Sequence, residues 1–267
     1  MTMDPAAKAK IEAMKRQWDS RRRITEHLNR LKTKIGVYSG KGGVGKTSVA
    51  VNLAILLAMR GYRVGLLDAD IDCPNVVKMM HSPAEPRYED GKIQPADMHN
   101  VKVVSMGSFQ EKEDEAIIWR GPMIHNAITQ FLEATEWGDL DYLIVDLPPG
   151  TSDAPLTIMQ TLKVDGFIVV TTPQELAMLD AKRSINMIKK LNVPVYGVVE
   201  NMSGDIFGEG GGKQVATETN VKFLGSIKLD KAFVKPDVPV VLRHEKARRE
   251  FEAIVDNLGL QVPTPSR

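Results

Sequence analysis

Cysteine is almost missing from this chain: Cys73 is the only one in 267 residues. That excludes an intrachain disulfide and any metal site made of four thiolates from one chain. An excess of charge of one sign is missing too. The 35 Lys and Arg stand against 34 Asp and Glu, spread along most of the sequence, so no broad field marks a nucleic-acid surface. Long apolar runs are also lacking. The mostly apolar stretch from Ala50 to Met59 falls short of the ~20 residues that cross a bilayer, and no apolar segment of the secretory kind opens the chain. His27, His81, His99, His125 and His244 show no metal-ligand spacing. The expectation is a soluble, cytoplasmic protein that engages neither membrane nor nucleic acid.

The length lies within the reach of one α/β domain, and 43% apolar residues can fill its core. Charge is uneven only at the start, where residues 1–34 hold ten Lys and Arg against four Asp and Glu. Ile11, Met14 and Trp18 are spaced by three and four there, with Leu28 and Leu31 extending the pattern, so residues 1–33 are expected to carry a basic amphipathic helix. Its expected place is against its own domain, with Lys and Arg in water.

The stretch around which the rest is organised is SGKGGVGKTS, residues 39–48, between the apolar runs Ile35–Tyr38 and Val49–Met59. Gly40, Gly45, Lys46 and Thr47 fit the G-x-x-x-x-G-K-[ST] phosphate loop, and the order strand, glycine loop, helix is the context that pattern needs. Backbone amides of Gly40, Lys41, Gly42, Gly43, Val44, Gly45, Lys46, Thr47 and Ser48 are expected to close around phosphate oxygens. Lys46 reaches the outer phosphates, Thr47 completes a magnesium shell, and the helix points its positive end at the anion. Lys41 is a second cation early in the loop.

Apolar strands then recur at 64–67, 101–106, 142–145, 167–171, 195–199 and 223–227, with helical stretches near 120–136, 176–190 and 243–258. This predicts an α/β fold of three layers, with a mostly parallel sheet of about seven strands covered by helices on both faces. The domain spans 34–260, followed by a tail, 261–267. Residues 81–100, rich in Pro, Asp and Glu, show no clear element and read as a surface excursion. Ligands sit at the carboxyl ends of parallel strands, which singles out two acidic strand ends. Asp146 suits a strand-end aspartate that holds magnesium through water, and Asp70 one that positions the attacking water. Asp68 and Asp153 are further acids in the same places. LPPGTSD, residues 147–153, combines proline stiffness with a glycine hinge, as a loop sensing the outermost phosphate requires.

KGGVGKT is similar to the deviant phosphate loop of the group containing MinD, ParA, nitrogenase iron protein and the Mrp-type carriers. DADIDCPN, IWRGPM, DYLIVDLPPGTSDAPLT, TTPQELAMLDAKRSINMI and NVPVYGVVENMS follow in family order. Over residues 35–257 the chain resembles the Mrp-type (ApbC-like) iron–sulfur carrier ATPases. The resemblance implies ATP and magnesium as ligands, a homodimer across the nucleotide site with Lys41 acting on the other subunit's nucleotide, Asn201 at the adenine, and a client or cluster-donor protein as partner. One departure stands out. The family usually carries a C-x-x-C insert after NMS, two pairs of which hold a bridging cluster; here NMS runs directly into GDIFGEGGG. Two readings of Cys73 stay open: an iron ligand, or a small semi-buried residue without such a role, the second being favoured. The functional expectation is therefore an ATP-hydrolysing dimeric carrier or assembly factor in iron–sulfur cluster biogenesis, with a metal-free switch that recruits, positions or matures a partner as the alternative. MinD-like membrane attachment is disfavoured by Pro263 and Pro265, which prevent a terminal amphipathic helix, and ParA-like DNA binding would rest on the basic helix alone.

Overall fold

The computed structural model describes Glu12, Met14 and residues 30–109, 121–151, 153–234 and 237–260. In chain order it contains β1 (Leu31–Tyr38), α1 (Lys46–Met59), β2 (Val64–Asp68), α2 (Val76–Met80), β3 (Arg87–Glu89), β4 (Lys92–Gln94), β5 (Ala96–Met98) and β6 (Val101–Ser105). Then follow α3 (Gly121–Ala134), β7 (Leu140–Asp146), α4 (Asp153–Leu162), β8 (Gly166–Thr171), α5 (Glu175–Lys190), β9 (Val195–Ser203), α6 (Gly211–Glu218), β10 (Phe223–Lys228), α7 (Val240–Arg243) and α8 (Glu245–Leu258).

Eight strands form one sheet in the order β10-β9-β8-β1-β7-β2-β6-β5. The seven expected strands are all present and pair in parallel, and β5 adds an antiparallel edge against β6. The central strands β2, β7 and β8 are buried at every position, because helices cover both faces and water reaches neither. Side chains alternate between two cores. Tyr142 and Ile144 join the core beneath α1 and α8, with Leu53, Phe251 and Ile254; Leu143 and Val145 join the core beneath α3, α4 and α5, with Ile128, Ile158 and Ile185. This period of two along one strand produces the three layers.

Residues 81–100 correct the expectation of an element-free excursion: they hold the hairpin β3–β4 and the edge strand β5. Each is three residues long, too short for an alternating pattern to register. β1 begins at Leu31, inside the segment assigned to the N-terminal helix. Glu12 and Met14 are helical; the rest of that helix, the tail 261–267, Trp119 and Arg120 lie outside the described residues. Among the described residues no helix is long and apolar enough to cross a membrane.

Strands β1 and β7 lie side by side at the sheet's centre, with Val37 opposite Asp146, and β2 lies on the other side of β7 with Asp68 opposite Asp146. The register thus delivers Tyr38, Asp68 and Asp146 to one edge of the sheet, the edge at which the chain turns into α1.

Candidate nucleotide site

From Tyr38 the chain passes through Ser39–Gly45 into α1. Glycine is required at distinct points of this turn. Gly43 and Gly45 have φ of 81° and 82°, in the left-handed region that side chains resist. A Cβ on Gly40 would lie 2.3 Å from the Asp180 carbonyl oxygen, and one on Gly45 2.1 Å from Asn201 Nδ2. Gly45, the N-cap of α1, offers no side chain to the helix's first amides, and the first turn holds no acidic residue. The positive end of α1 therefore meets no anion from its own turn.

Lys46 is buried, and its ammonium donates to Asp146 Oδ1 at 2.7 Å and lies 3.7 Å from Asp70 Oδ2. Asp146 is fully buried, and its Oδ2 has no hydrogen-bond partner among the described residues. Burial pushes the Asp146 carboxyl up, with Lys46 and the Thr47 hydroxyl pulling it back. A fully buried carboxylate oxygen without a donor is costly unless a cation or its water meets it, so Asp146 with neighbouring Thr47 fits a magnesium shell. Asp70 is also raised by burial and pulled down by Lys46.

Asp68 has a different occupation. Its Oδ2 accepts from the Val76 amide and the Ser105 hydroxyl, both at 3.0 Å, and its Oδ1 from the Asp70 amide at 3.2 Å. Burial first, then the charge of Asp146, push it up. Asp68 shapes the loop that carries Asp70, and Asp70 Oδ1 accepts from the Cys73 amide at 3.3 Å.

Lys46, Thr47, Asp70 and Asp146 are thus gathered at the foot of the Gly40–Ser48 loop. Asn201 reaches the same loop from the end of β9, donating from Nδ2 to the Val44 carbonyl at 2.9 Å. Lys41 is half-buried and has no ion-pair partner among the described residues. Asp153 starts α4. Cys73 corrects the semi-buried reading: it is exposed, on the rim of an open cleft of about 460 Å³ shared with Asp72, Asn75, Lys78, Glu85 and Ser108. No group of three or more His, Cys, Asp or Glu able to hold a metal is found among the described residues.

Two residues escaped the sequence reading. Glu200 is fully buried and accepts from the Gly210 and Gly212 amides at 3.1 and 2.6 Å, fastening the start of α6 to β9; an acid among strand residues ahead of GEGGG was its signal. Tyr38, fully buried, donates its hydroxyl to the Gly150 carbonyl, for which the sequence held no signal.

A strand, glycine loop and helix at the carboxyl edge of a parallel sheet, with a buried lysine between strand-end aspartates, define a P-loop nucleotide-binding protein. Residues 30–259 match the ParA family described as NUBPL iron-transfer P-loop NTPase, and the chain belongs to that family. The iron–sulfur cluster carrier protein of Methanocaldococcus jannaschii is 46% identical over 252 residues, covering 88% of this chain and 87% of that one. Its counterpart in Pyrococcus horikoshii is 45% identical over 262 residues, 88% of each. Among solved structures, the nucleotide-binding protein of Archaeoglobus fulgidus in complex with ADP is 34% identical with a TM-score of 0.69, over 80% of this chain and 88% of that one. The cell division ATPase MinD of Pyrococcus furiosus, 20% identical with a TM-score of 0.66 over 86% and 99% of the chains, shares the fold.

Proposed function

We propose that this chain is a magnesium-dependent ATPase of the cytoplasm, working as a dimer across its nucleotide sites in iron–sulfur cluster assembly, with residues 34–260 as the working domain. The observation that supports this most directly is the buried Lys46 ammonium, 2.7 Å from Asp146 at the foot of the glycine loop. In the free protein two carboxylates neutralise it; a triphosphate offers a stronger anion, and Lys46 exchanges Asp146 for the outer phosphates. Asp146 then has both oxygens for the water around a cation, one of them already without a partner. Asp146 and Thr47 would hold magnesium, which when bound neutralises charge on the outer phosphates. Asp70, beside Lys46 and on a loop shaped by Asp68, positions the attacking water. Lys41, without a partner in its own chain among the described residues, acts on the nucleotide of the second copy. Asn201 has committed its Nδ2 to Val44, so its Oδ1 is left to accept from the amino group of adenine, where guanine would present an acceptor.

The names of the relatives at 46% and 45% identity support iron–sulfur assembly as the process, with the cluster as cargo. A dimer of this chain brings only two thiols, both Cys73, so a cluster bound by four thiolates takes the others from a donor or client protein. The exposed position of Cys73 fits such a shared site. The lack of any other thiol favours one second reading, a metal-free switch acting on a partner.

The test is iron and sulfide content, visible absorbance and ATPase activity of protein reconstituted without oxygen in the presence of a small free thiol that stands in for the partner's ligands, beside Cys73→Ser. Hydrolysis with a cluster that disappears in Cys73→Ser is expected. Hydrolysis with no iron in either protein selects the metal-free switch, and the absence of ATP binding and turnover in both sinks the proposal.

A further inference from the structure

We infer that Tyr38 is a positioning residue: its hydroxyl holds the Leu147–Gly150 segment over the phosphate loop and so sets how strongly the site prefers a nucleoside triphosphate to a diphosphate. This rests on the nucleotide reading above and adds a residue to it.

The Tyr38 ring is fully buried at the end of β1 and packs edge-on against Phe167, with centroids 6.4 Å apart and planes at 65°. Its hydroxyl donates to the Gly150 carbonyl, while the Gly150 amide donates to the Ser39 carbonyl at 3.0 Å. Both backbone groups of Gly150 are therefore tied to two successive residues at the mouth of the phosphate loop. Nothing lies within 4 Å of where a Gly150 side chain would start, so on that side no packing contact assists these bonds.

At its other end the segment is fixed by the Leu147 amide, which donates to the Val37 carbonyl at 3.2 Å. Between the two anchors stand Pro148 and Pro149, whose rings fix φ and remove two donors. The result is a short stiff strut. The Pro149 ring lies 3.9 Å from where a Cβ of Gly42 would be, so the strut crosses the exposed bend of the phosphate loop, where the outermost phosphate emerges in the nucleotide reading.

The same hydroxyl lies beside Ser184 on α5, which donates to the Asp180 carbonyl at 2.8 Å, the oxygen against which Gly40 packs. Burial pushes the Tyr38 hydroxyl up to about 12, so it remains a neutral donor at physiological pH. Strut, phosphate loop and α5 are thus neighbours around this hydroxyl. A diphosphate ends short of the strut and a triphosphate reaches it, so loosening the strut weakens only the triphosphate.

Tyr38→Phe keeps the ring and its packing and removes the donor alone. Gly150 is half-buried, so water can replace the lost donor at its carbonyl and the variant is expected to fold. Calorimetry with magnesium and either ADP or a non-hydrolysable ATP analogue should show unchanged ADP affinity and analogue binding weaker by about fivefold, the size of one net hydrogen bond. The turnover number falls with it. Phe167→Leu, which loosens the ring but spares the hydroxyl, should leave the ratio of the two affinities unchanged. The proposal is overturned if Tyr38→Phe leaves the ratio as it was, raises it, or weakens both nucleotides equally, and also if Phe167→Leu lowers the ratio as much. A wild-type protein that binds neither nucleotide refutes the nucleotide reading itself, before any variant is compared.

Discussion

Replacing Lys46 by Met in the nucleotide-free protein removes the only cation that the described residues place among three buried carboxylates. Asp146 is 0% exposed, Asp68 0% and Asp70 6%, and Lys46 contacts the first and third. Methionine fills a similar volume, so packing changes little and the loss is electrostatic. Taking one partner from a buried ion pair costs about 3–5 kcal/mol because the other charge is left uncompensated. For a protein of this size that lowers the midpoint of thermal unfolding by roughly 10 °C. The sign with pH follows from the same carboxyls. Asp68, Asp70 and Asp146 are already raised by burial with Lys46 present, and its loss raises them further. A carboxyl whose folded pKa lies above its unfolded value makes the folded state bind more protons, so the penalty is full at high pH and relieved as pH falls through the raised value. Urea unfolding of wild type and Lys46→Met at pH 8 and pH 6, without nucleotide, should therefore show a gap that narrows at the lower pH. Adding Asp146→Asn to Lys46→Met should recover much of the loss. A Lys46→Met protein within about 1 kcal/mol of wild type at pH 8, against the cost expected for a broken buried pair, or a gap that widens toward pH 6, refutes the electrostatic account of this site.

Asp141 offers the opposite sign at the other end of the sheet. Its carboxylate accepts from Lys32 Nζ, the Arg63 amide and the Arg63 guanidinium at 2.9–3.3 Å; burial raises the carboxyl, but these bonds outweigh it and hold it well below the usual range. Asp141→Asn should cost about 2 kcal/mol at neutral pH, a gap present above the unfolded carboxyl's pKa and lost as pH falls through the folded one; equal urea midpoints at pH 7 would contradict this. Gly40→Ala forces a Cβ to 2.3 Å from the Asp180 carbonyl, where backbone must move, so nucleotide affinity should drop by at least about tenfold, the equivalent of about 1.4 kcal/mol of displaced loop. Calorimetry showing wild-type affinity would mean that α5 yields at this contact more readily than the packing implies.

What could be read from the sequence follows how each feature is encoded. β2, β7 and β8 were visible as continuous apolar runs because both faces of each are covered. β3, β4 and β5 were invisible because three residues of mixed polarity carry no period. The short helices α2 and α6 and the proline-bearing start of α4 passed unnoticed for a related reason, each having few turns in which to display a stripe. The glycine loop announced itself, since phosphate contact by backbone restricts residue type over a short span. The Lys46–Asp146 contact joins residues 100 positions apart, and only the register of β1 with β7 brings it about. Asn201 entered through the resemblance alone; a strand-end asparagine has no pattern that aims it at Val44. The exposure of Cys73 depends on how Asp68 and Asp70 fold their loop, which no local pattern records.

Helix α1 is buried on nearly every side, from Val49 to Leu57 without interruption. A cylinder enclosed in that way has no direction in which to give, so the floor of the phosphate cradle is a fixed post. Whatever registers the difference between occupied and empty must then happen at the rim, in the segments leaving β2 and β7. Those strands are immediate neighbours, with Asp68 opposite Asp146, so the two rim segments spring from a common wall and cannot swing independently. Reporter groups placed on α1 would stay silent through a cycle, while a pair placed on the two segments would move in step.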